Sequence, residues 1–478
     1  MNQVEVPFGE LGNVEYFRRR AAVERLVEQG PAVVAALCEA LPAAIGPARA
    51  SLAEALGRIG DVRALDVLSQ LTQDRDSFAA QRACEALGHL CDAGAVPALG
   101  EALRHPCTLV RWQAVVSLGQ IAAQRRKVGS PVAAAPERAP ENPDLQRWYR
   151  TGEAPAPAAA RAIAALARAL DDEDPHVRRR AVEALAPVAA QAGAVLQEAA
   201  TDRDDQVRRN VMQALGQPGN RGGLDVLTGG LVDRDVGVRR AAATGLGRVG
   251  DSRAVEPLLA ALEDSSEAVR VEAVEALGRI PSTRGAEALC RLITSTDSAA
   301  RFHALRLHAE ESLVRNRAAA LPSLIQWLAD ARGHNGDVFV TLLSRIGPPA
   351  VAPLCEALQD RRPLSRLRAA RALGGIAERY PTPILRAALP RLRQLAQQWG
   401  AEDDRRIYRA AIEQIETATE AIHDLPRPGR APEPVRDALP LAGAAPSGAA
   451  EPDAEPAAPS SVRAWWPWNR REASRSTR

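Results

Sequence analysis

Five arginines recur at one register of the chain: Arg178, Arg208, Arg239, Arg270 and Arg301, spaced 30, 31, 31 and 31 residues apart. A guanidinium keeps its charge at physiological pH and presents a rigid fork of donors that fits carboxylate or phosphate oxygens two at a time. A row of them, one structural unit apart, has two chemistries open to it: a track for a nucleic-acid backbone, or a ladder of ion pairs inside the protein. Acidic or serine turns repeat in phase with it, at Asp174, Asp204-Asp205, Asp233 to Asp235, Asp264 to Ser266 and Asp297-Ser298. Carboxylates matched in register to the arginines favour the structural ladder, and the same residues are placed to cap helix N-termini. The formal net charge of +2, from 61 basic and 59 acidic residues, gives no global pull toward nucleic acid or an anionic membrane.

The second set of candidates is aromatic. Aromatics make up only 3% of the chain, yet Trp465, Trp466 and Trp468 fall within four positions near its end and are followed by Arg470 and Arg471. Indole rings carry a large apolar surface, and the Pro/Ala/Gly-rich stretch before them offers nothing to bury it against. They need a destination: a groove on a partner protein, the protein's own folded surface, or a membrane interface where indoles settle at headgroup level and arginines meet anionic lipid. Pro467 interrupts any continuous amphipathic helix through the cluster, which favours docking on a protein. Trp148-Tyr149, flanked by Arg147 and Arg150, and Trp112, at a helix register where other repeats carry Arg179, Arg209 and Arg240, form a further candidate contact, with Trp112 expected to be exposed.

Catalytic constellations do not assemble. There is no Gly-rich phosphate loop, no G-x-S-x-G elbow and no H-E-x-x-H. His303, His308, Glu310, Glu311, Trp327 and His334 crowd one irregular stretch, but a five-residue separation sets two histidines roughly 140° apart around a helix. Cys38, Cys84, Cys91, Cys107, Cys290 and Cys355 include no C-x-x-C pair, and Cys84 and Cys91 read as small core residues. No catalytic residue, metal or cofactor is expected.

Positioning all of these is a repeat. Leu56, Leu87 and Leu118 are 31 residues apart, and Leu185, Leu215, Leu246 and Leu277 continue at 30, 31 and 31. Val238, Ala242, Gly245, Leu246 and Val249 share one helix face; Gly250 and Asp251 break the pattern; Val255, Leu258, Leu259 and Leu262 form a second stripe, with a helix starting at about Ala254 because Pro257 is tolerable only in a first turn. The unit is a helical hairpin, A then B. Weaker copies place Leu26 before the series and Leu343, Leu373 and Ile412 after it, with His308 one period beyond Leu277. About twelve hairpins result.

The elements D-x-x-V-R-x-x-A-x-x-A-L-G and G-D-x-R-A-V-x-P-L resemble the HEAT repeat, in particular the short bacterial form also found in phycobilin lyases. The resemblance covers roughly residues 14–420. It implies an all-α fold, a right-handed α-solenoid in which stacked hairpins share one core and the B helices line a concave surface. The His-Glu pairs by which HEAT-like deoxyhypusine hydroxylases bind iron have no counterpart; His308-Ala309-Glu310 comes nearest.

The organisation expected is an N-terminal extension (1–13), a first block of repeats (14–121), a disordered Pro/Ala-rich insert (122–158), a regular block (159–310), an irregular block (311–423), a disordered linker (424–460) and the Trp/Arg-rich end (461–478). In the first hairpin Phe17, Ala21 and Leu26 are placed on the core stripe, with Val33, Leu37 and Leu41 opposite. The N-terminus has no apolar run of signal length, and no stretch approaches the roughly 20 apolar residues of a membrane span, so a cytoplasmic protein is expected, with peripheral membrane contact open to the tail. The function these readings favour is a non-catalytic scaffold for another protein. A nucleic-acid-binding solenoid using the arginine track is the alternative, and a phycobilin-lyase-like enzyme or chaperone stands further off, because the matched residues build the repeat and hold no bilin.

Overall fold

The computed structural model describes residues 8–13, 15–123, 156–294, 301–330, 335–398 and 401–421. They belong to one unit, and every regular element among them is helical: a short helix Phe8–Leu11, eleven A–B hairpins and a single closing helix, Glu402–Ala421. The fold is an α-solenoid.

One hairpin shows how the sequence builds the rest. Its A helix, Val236–Val249, starts at Asp235, whose carboxylate accepts the Val238 N–H at 2.9 Å, and stops at Gly250, which takes the left-handed conformation at φ 72°. Asp251 then accepts the Arg253 N–H at 2.9 Å and opens a 3-10 turn, Ser252–Ala254, that runs into the B helix Val255–Ala261. Seven residues are too few to hold a helix in water alone, so the B helix depends on burying Val255, Leu258 and Ala261.

The Ala-Leu-Gly triplet reads differently once the hairpins are stacked. The leucine is the core residue: Leu56, Leu87, Leu118, Leu185, Leu246 and Leu277 are wholly buried. The alanine and glycine are two halves of one contact between successive A helices. A Cβ on Gly57 would lie 2.6 Å from Ala86 Cα, and one on Gly247 would lie 2.7 Å from Ala276 Cα. Glycine lets two helix backbones close to within side-chain reach of each other, and alanine on the facing helix fills the gap.

That contact also fixes the register where the sequence pattern loosens. Gly278 packs on Ser312, so the residue equivalent to Leu277 in the next hairpin is the buried Leu313, not His308. The extra residues fall before the A helix Arg301–Arg315, after the long B helix Thr283–Thr294. A one-residue link, Asn316, joins it to Arg317–Asp330, and Asn316 donates from Nδ2 to the Ile280 carbonyl at 3.1 Å. The expected boundary at residue 310 therefore falls inside a helix. Beyond it Phe339, fully buried, stacks on Trp327 at 6.2 Å between centroids, at a register four before the repeat leucine where Ala83, Ala114, Ala181, Ala242, Ala273 and Ala369 stand in other hairpins.

Two further expectations need correction. Phe17 is 82% exposed and Ala21 is exposed; Ala22, Val23 and Leu26 carry the core face of the first A helix, Tyr16–Gln29. The short helix Phe8–Leu11 packs on it through the fully buried Leu11, and Phe17 and Ala21 lie off the faces that these contacts bury. The insert is shorter than expected at both ends, because Thr108–Ala123 continues to residue 123 and the next B helix, Ala156–Ala169, begins at 156. Residues 124–155 lie outside the described ones.

Candidate functional site

The arginine row is buried and interlocked. Arg208 donates from Nε and Nη2 to the two oxygens of Asp233, both at 2.8 Å, and from Nη1 back to the Asp202 carbonyl at 2.9 Å. Asp233 in turn accepts the Asp235 N–H at 2.8 Å, so each rung ties one A helix to the turn before it and the turn after it. Arg178 repeats this with Asp202 at 2.8 and 3.1 Å, and Arg239 with Asp264 at 2.7 and 3.0 Å. The side chains of Arg178 and Arg208 are each 4% exposed, and Arg239 is 12% exposed, so their donors face protein oxygen and not solvent. Among the described residues Arg270 shows the backward half, with Nη1 on the Asp264 and Ser265 carbonyls at 2.8 and 3.2 Å; Asp297, one repeat on, lies outside them. The side chain of Arg301 lies outside the described residues, and by the Gly278–Ser312 contact the rung register belongs to Arg306.

The row also reaches residues that the period alone did not pick out. Arg111 grips Asp172 at 2.8 and 3.1 Å across 61 residues of sequence, Arg49 pairs with Asp74 at 2.6 Å, and Arg366 holds the Asp360 and Arg361 carbonyls at 2.8 and 3.0 Å. Each stands seven residues before its repeat leucine, Leu118, Leu56 or Leu373, and that fixed offset was the signal available in the sequence. Where the register holds Gly336, the Arg368 guanidinium fills the space that a side chain there would take, donating to the Leu328 carbonyl at 2.8 Å.

A second, more exposed row lies beside the first. Arg179 forks onto Asp204 at 2.7 and 3.0 Å, and Asp204 also caps the helix Asp205–Leu215 through the Val207 N–H at 2.9 Å. The Arg179 guanidinium foremost, helped by that backbone bond, holds the Asp204 carboxyl at about 2, below its ordinary 3.8. Its contribution is complete above about pH 4 and is lost as pH falls toward 2, because the unfolded chain takes up the proton first. Melting curves from about pH 5 to pH 2 are expected to show this loss, and Asp204→Asn should be less stable at pH 5 with a flatter acid limb. An acid limb identical to wild type would remove Asp204 from the account.

The B helices offer the other surface. In nine of the eleven B helices, counting from the buried leucine, the residues two before and two after it point outward. The first row reads Ala35, Asp66, Pro97, Ala164, Ala194, Asp225, Glu256 and Ala352, all exposed, with Glu287 half-buried. The second reads Glu39, Gln70, Glu101, Arg168, Glu198, Gly229, Ala260, Arg291 and Glu356, all exposed. In these two rows eight carboxylates stand against two arginines, with Glu256 paired to Arg284, Glu101 to Arg104 and Glu287 to Arg291, so the rows carry an acidic excess, and their side chains are mostly short.

Two family models match the chain: HEAT repeats over residues 68–136, 192–267 and 255–337, and the PBS lyase HEAT-like repeat over 48–74. The chain is a HEAT-repeat protein. No curated protein matches it. Among solved structures this HEAT-repeat chain is similar to an engineered protein at 22% identity, covering 86% of this chain and 98% of that one, with a TM-score of 0.36. It is also similar to Kap95p in its complex with RanGDP, at 14% identity and TM-score 0.44, and to importin beta, at 16% and 0.35. It spans 59% and 55% of the length of those two chains.

In this HEAT-repeat protein Trp112 is not the exposed ring expected. It is half-buried against the core, and the Arg180 guanidinium of the next hairpin covers it at 5.0 Å from the ring centroid. Trp148, Tyr149, Trp465, Trp466, Trp468, Arg470 and Arg471 lie outside the described residues. Among the described residues no group of three His, Cys, Asp or Glu side chains is placed to hold a metal ion, and His308 lies 3.3 Å from Glu275. Cys84 and Cys290 are buried, which pushes each thiol up to about 12. Cys91 is not a core residue: it ends its A helix at φ 52°, at the register where Gly60 and Gly250 serve. Among the described residues no single helix is long and apolar enough to cross a membrane.

Proposed function

We propose that this chain is a non-catalytic scaffold whose B-helix face docks a partner protein presenting a basic surface. The observation that carries this reading is the pair of exposed rows two residues either side of the buried leucine in nine of the B helices, with carboxylates at Asp66, Glu101, Glu198, Asp225 and Glu256 and short side chains between them. Short residues let a partner approach the helices closely, repeated carboxylates set the sign of its charge, and recognition is spread over several hairpins. HEAT solenoids commonly bind protein partners, which supports the class though not the identity. The terminal Trp465, Trp466 and Trp468 with Arg470 and Arg471 act as a second docking element, on the same partner or on anionic lipid. The nucleic-acid alternative loses support because Arg178, Arg208 and Arg239 are buried and already hold carboxylates.

The test compares three forms in the same cell extract: the full chain, a form lacking residues 461–478, and Asp66→Lys/Asp225→Lys/Glu256→Lys, whose side chains are exposed so that folding is preserved. Charge reversal is expected to abolish capture of the partner, and deletion of the tail to weaken it. Equal recovery from all three would reject the B-helix face, and flotation of both tail forms with anionic vesicles separates a lipid from a protein target.

A further inference from the structure

The second arginine row changes character at one rung. Arg179 holds Asp204 and Arg209 holds Asp235 at 3.2 Å, each carboxylate being the N-cap of the following A helix. One unit further along, the N-cap of Glu267–Arg279 is Ser266, which makes no side-chain cap bond, so the register that should supply Arg240 with a carboxylate supplies a hydroxyl. Arg240 is exposed, as is Arg248 two turns along the same helix, and neither has an ion-pair partner among the described residues. Between them the A helices Asp205–Leu215 and Val236–Val249 leave a cleft of about 460 Å³.

Glycines make the room. Gly216 and Gly245 meet so closely that a Cβ on the first would lie 2.5 Å from the second's Cα, and Gly237 yields the space taken by the Arg209 guanidinium. Arg209 has a buried Nε with no partner. The single carboxylate on the wall, Glu272, accepts the Thr244 hydroxyl at 2.9 Å. Two guanidiniums without an ion-pair partner among the described residues, Arg240 and Arg248, therefore border an open space together with Arg209, which is already engaged with Asp235, Asp205 and Gln206, and the Gln213 and Gln217 amides line the same wall.

We propose that this cleft binds a phosphate monoester. Such a group carries close to two charges at neutral pH and three strong acceptor oxygens, which suits several arginine forks better than a carboxylate with one charge does. A monoester also leaves an organic group to occupy a space larger than a bare anion needs. The site lies between A helices and uses no residue of the B-helix face, so it stands or falls apart from the scaffold reading.

Calorimetric titration of the full chain with a phosphoserine peptide, its unphosphorylated counterpart, free phosphoserine and inorganic phosphate tests the assignment. The phosphorylated peptide is expected to bind and the unphosphorylated one not to. Arg240→Gln/Arg248→Gln is expected to lower that affinity about tenfold or more while keeping the wild-type melting curve, since neither side chain is paired or buried. Ser266→Asp should weaken binding as well, by restoring the missing carboxylate to the rung. A peptide that binds more tightly than free phosphoserine points to a modified protein as the source, and equal affinity to a small metabolite. Equal binding of the two peptides, or wild-type affinity in the double arginine variant, would overturn the proposal.

Discussion

Leu246→Asp is expected to unfold the centre of the solenoid under conditions where the wild type is intact. Leu246 is wholly buried among residues such as Ala242 and Ala243, and a Cβ on the neighbouring Gly245 would lie 2.8 Å from Leu227 Cδ2. An aspartate there must bury a carboxylate with no cation to meet it or take up a proton, at several kcal/mol either way. Leu246→Ala, which only empties the space, should cost about 2–5 kcal/mol and serves as the comparison. Because each hairpin touches only its neighbours, the damage should be local. Hydrogen exchange is expected to lose protection around residues 205–279 and to keep it in the first three hairpins. Wild-type exchange in the variant would mean that the leucine stripe is not the core.

The second large effect is expected from Asp233→Ala. It leaves Arg208, 4% exposed, with its charge and without the carboxylate that takes two of its donors. Stranding a buried charge in this way costs about 3–5 kcal/mol. The double variant Arg208→Met/Asp233→Ala removes charge and counter-charge together and should recover much of the loss. Denaturant unfolding of the two variants gives the comparison. A single variant no less stable than the double one would show that the rung holds nothing together.

Leu56 through Leu277 were readable from sequence because a buried helix face admits few residue types, so the period survives divergence elsewhere. The Arg208 and Asp233 positions were visible because the pair recurs in phase over several consecutive units, although Ala80 and Gly336 take the arginine's place in two others. What escaped was whatever depends on a neighbour in space. Phe17 fits the helical period and still points to solvent, because the buried face of its helix is set one position further along, at Ala22, Val23 and Leu26. His308 keeps the count of 31 while the chain itself does not, and only the Gly278–Ser312 contact shows the slip. Ser266 is an acceptable N-cap on its own, so exchanging it for aspartate leaves no local trace; its consequence falls on Arg240, one repeat earlier. The terminal tryptophans are legible as chemistry but carry no positional information, since nothing periodic surrounds them.

The Arg111–Asp172 rung holds the fourth hairpin to the fifth whatever the chain does between Ala123 and Ala156. The A helix Thr108–Ala123 and the B helix Ala156–Ala169 pack on each other through buried residues such as Leu118 and Leu166, so their mutual placement does not require the covalent path that joins them. Loop-closure entropy grows only as the logarithm of length, and doubling that path costs about 0.6 kcal/mol. The solenoid therefore has a natural point of division. Cut there, it becomes two half-solenoids whose exposed ends are already complementary in shape and charge, and a foreign domain inserted there would ride on the stack without shifting the register of any hairpin beyond it.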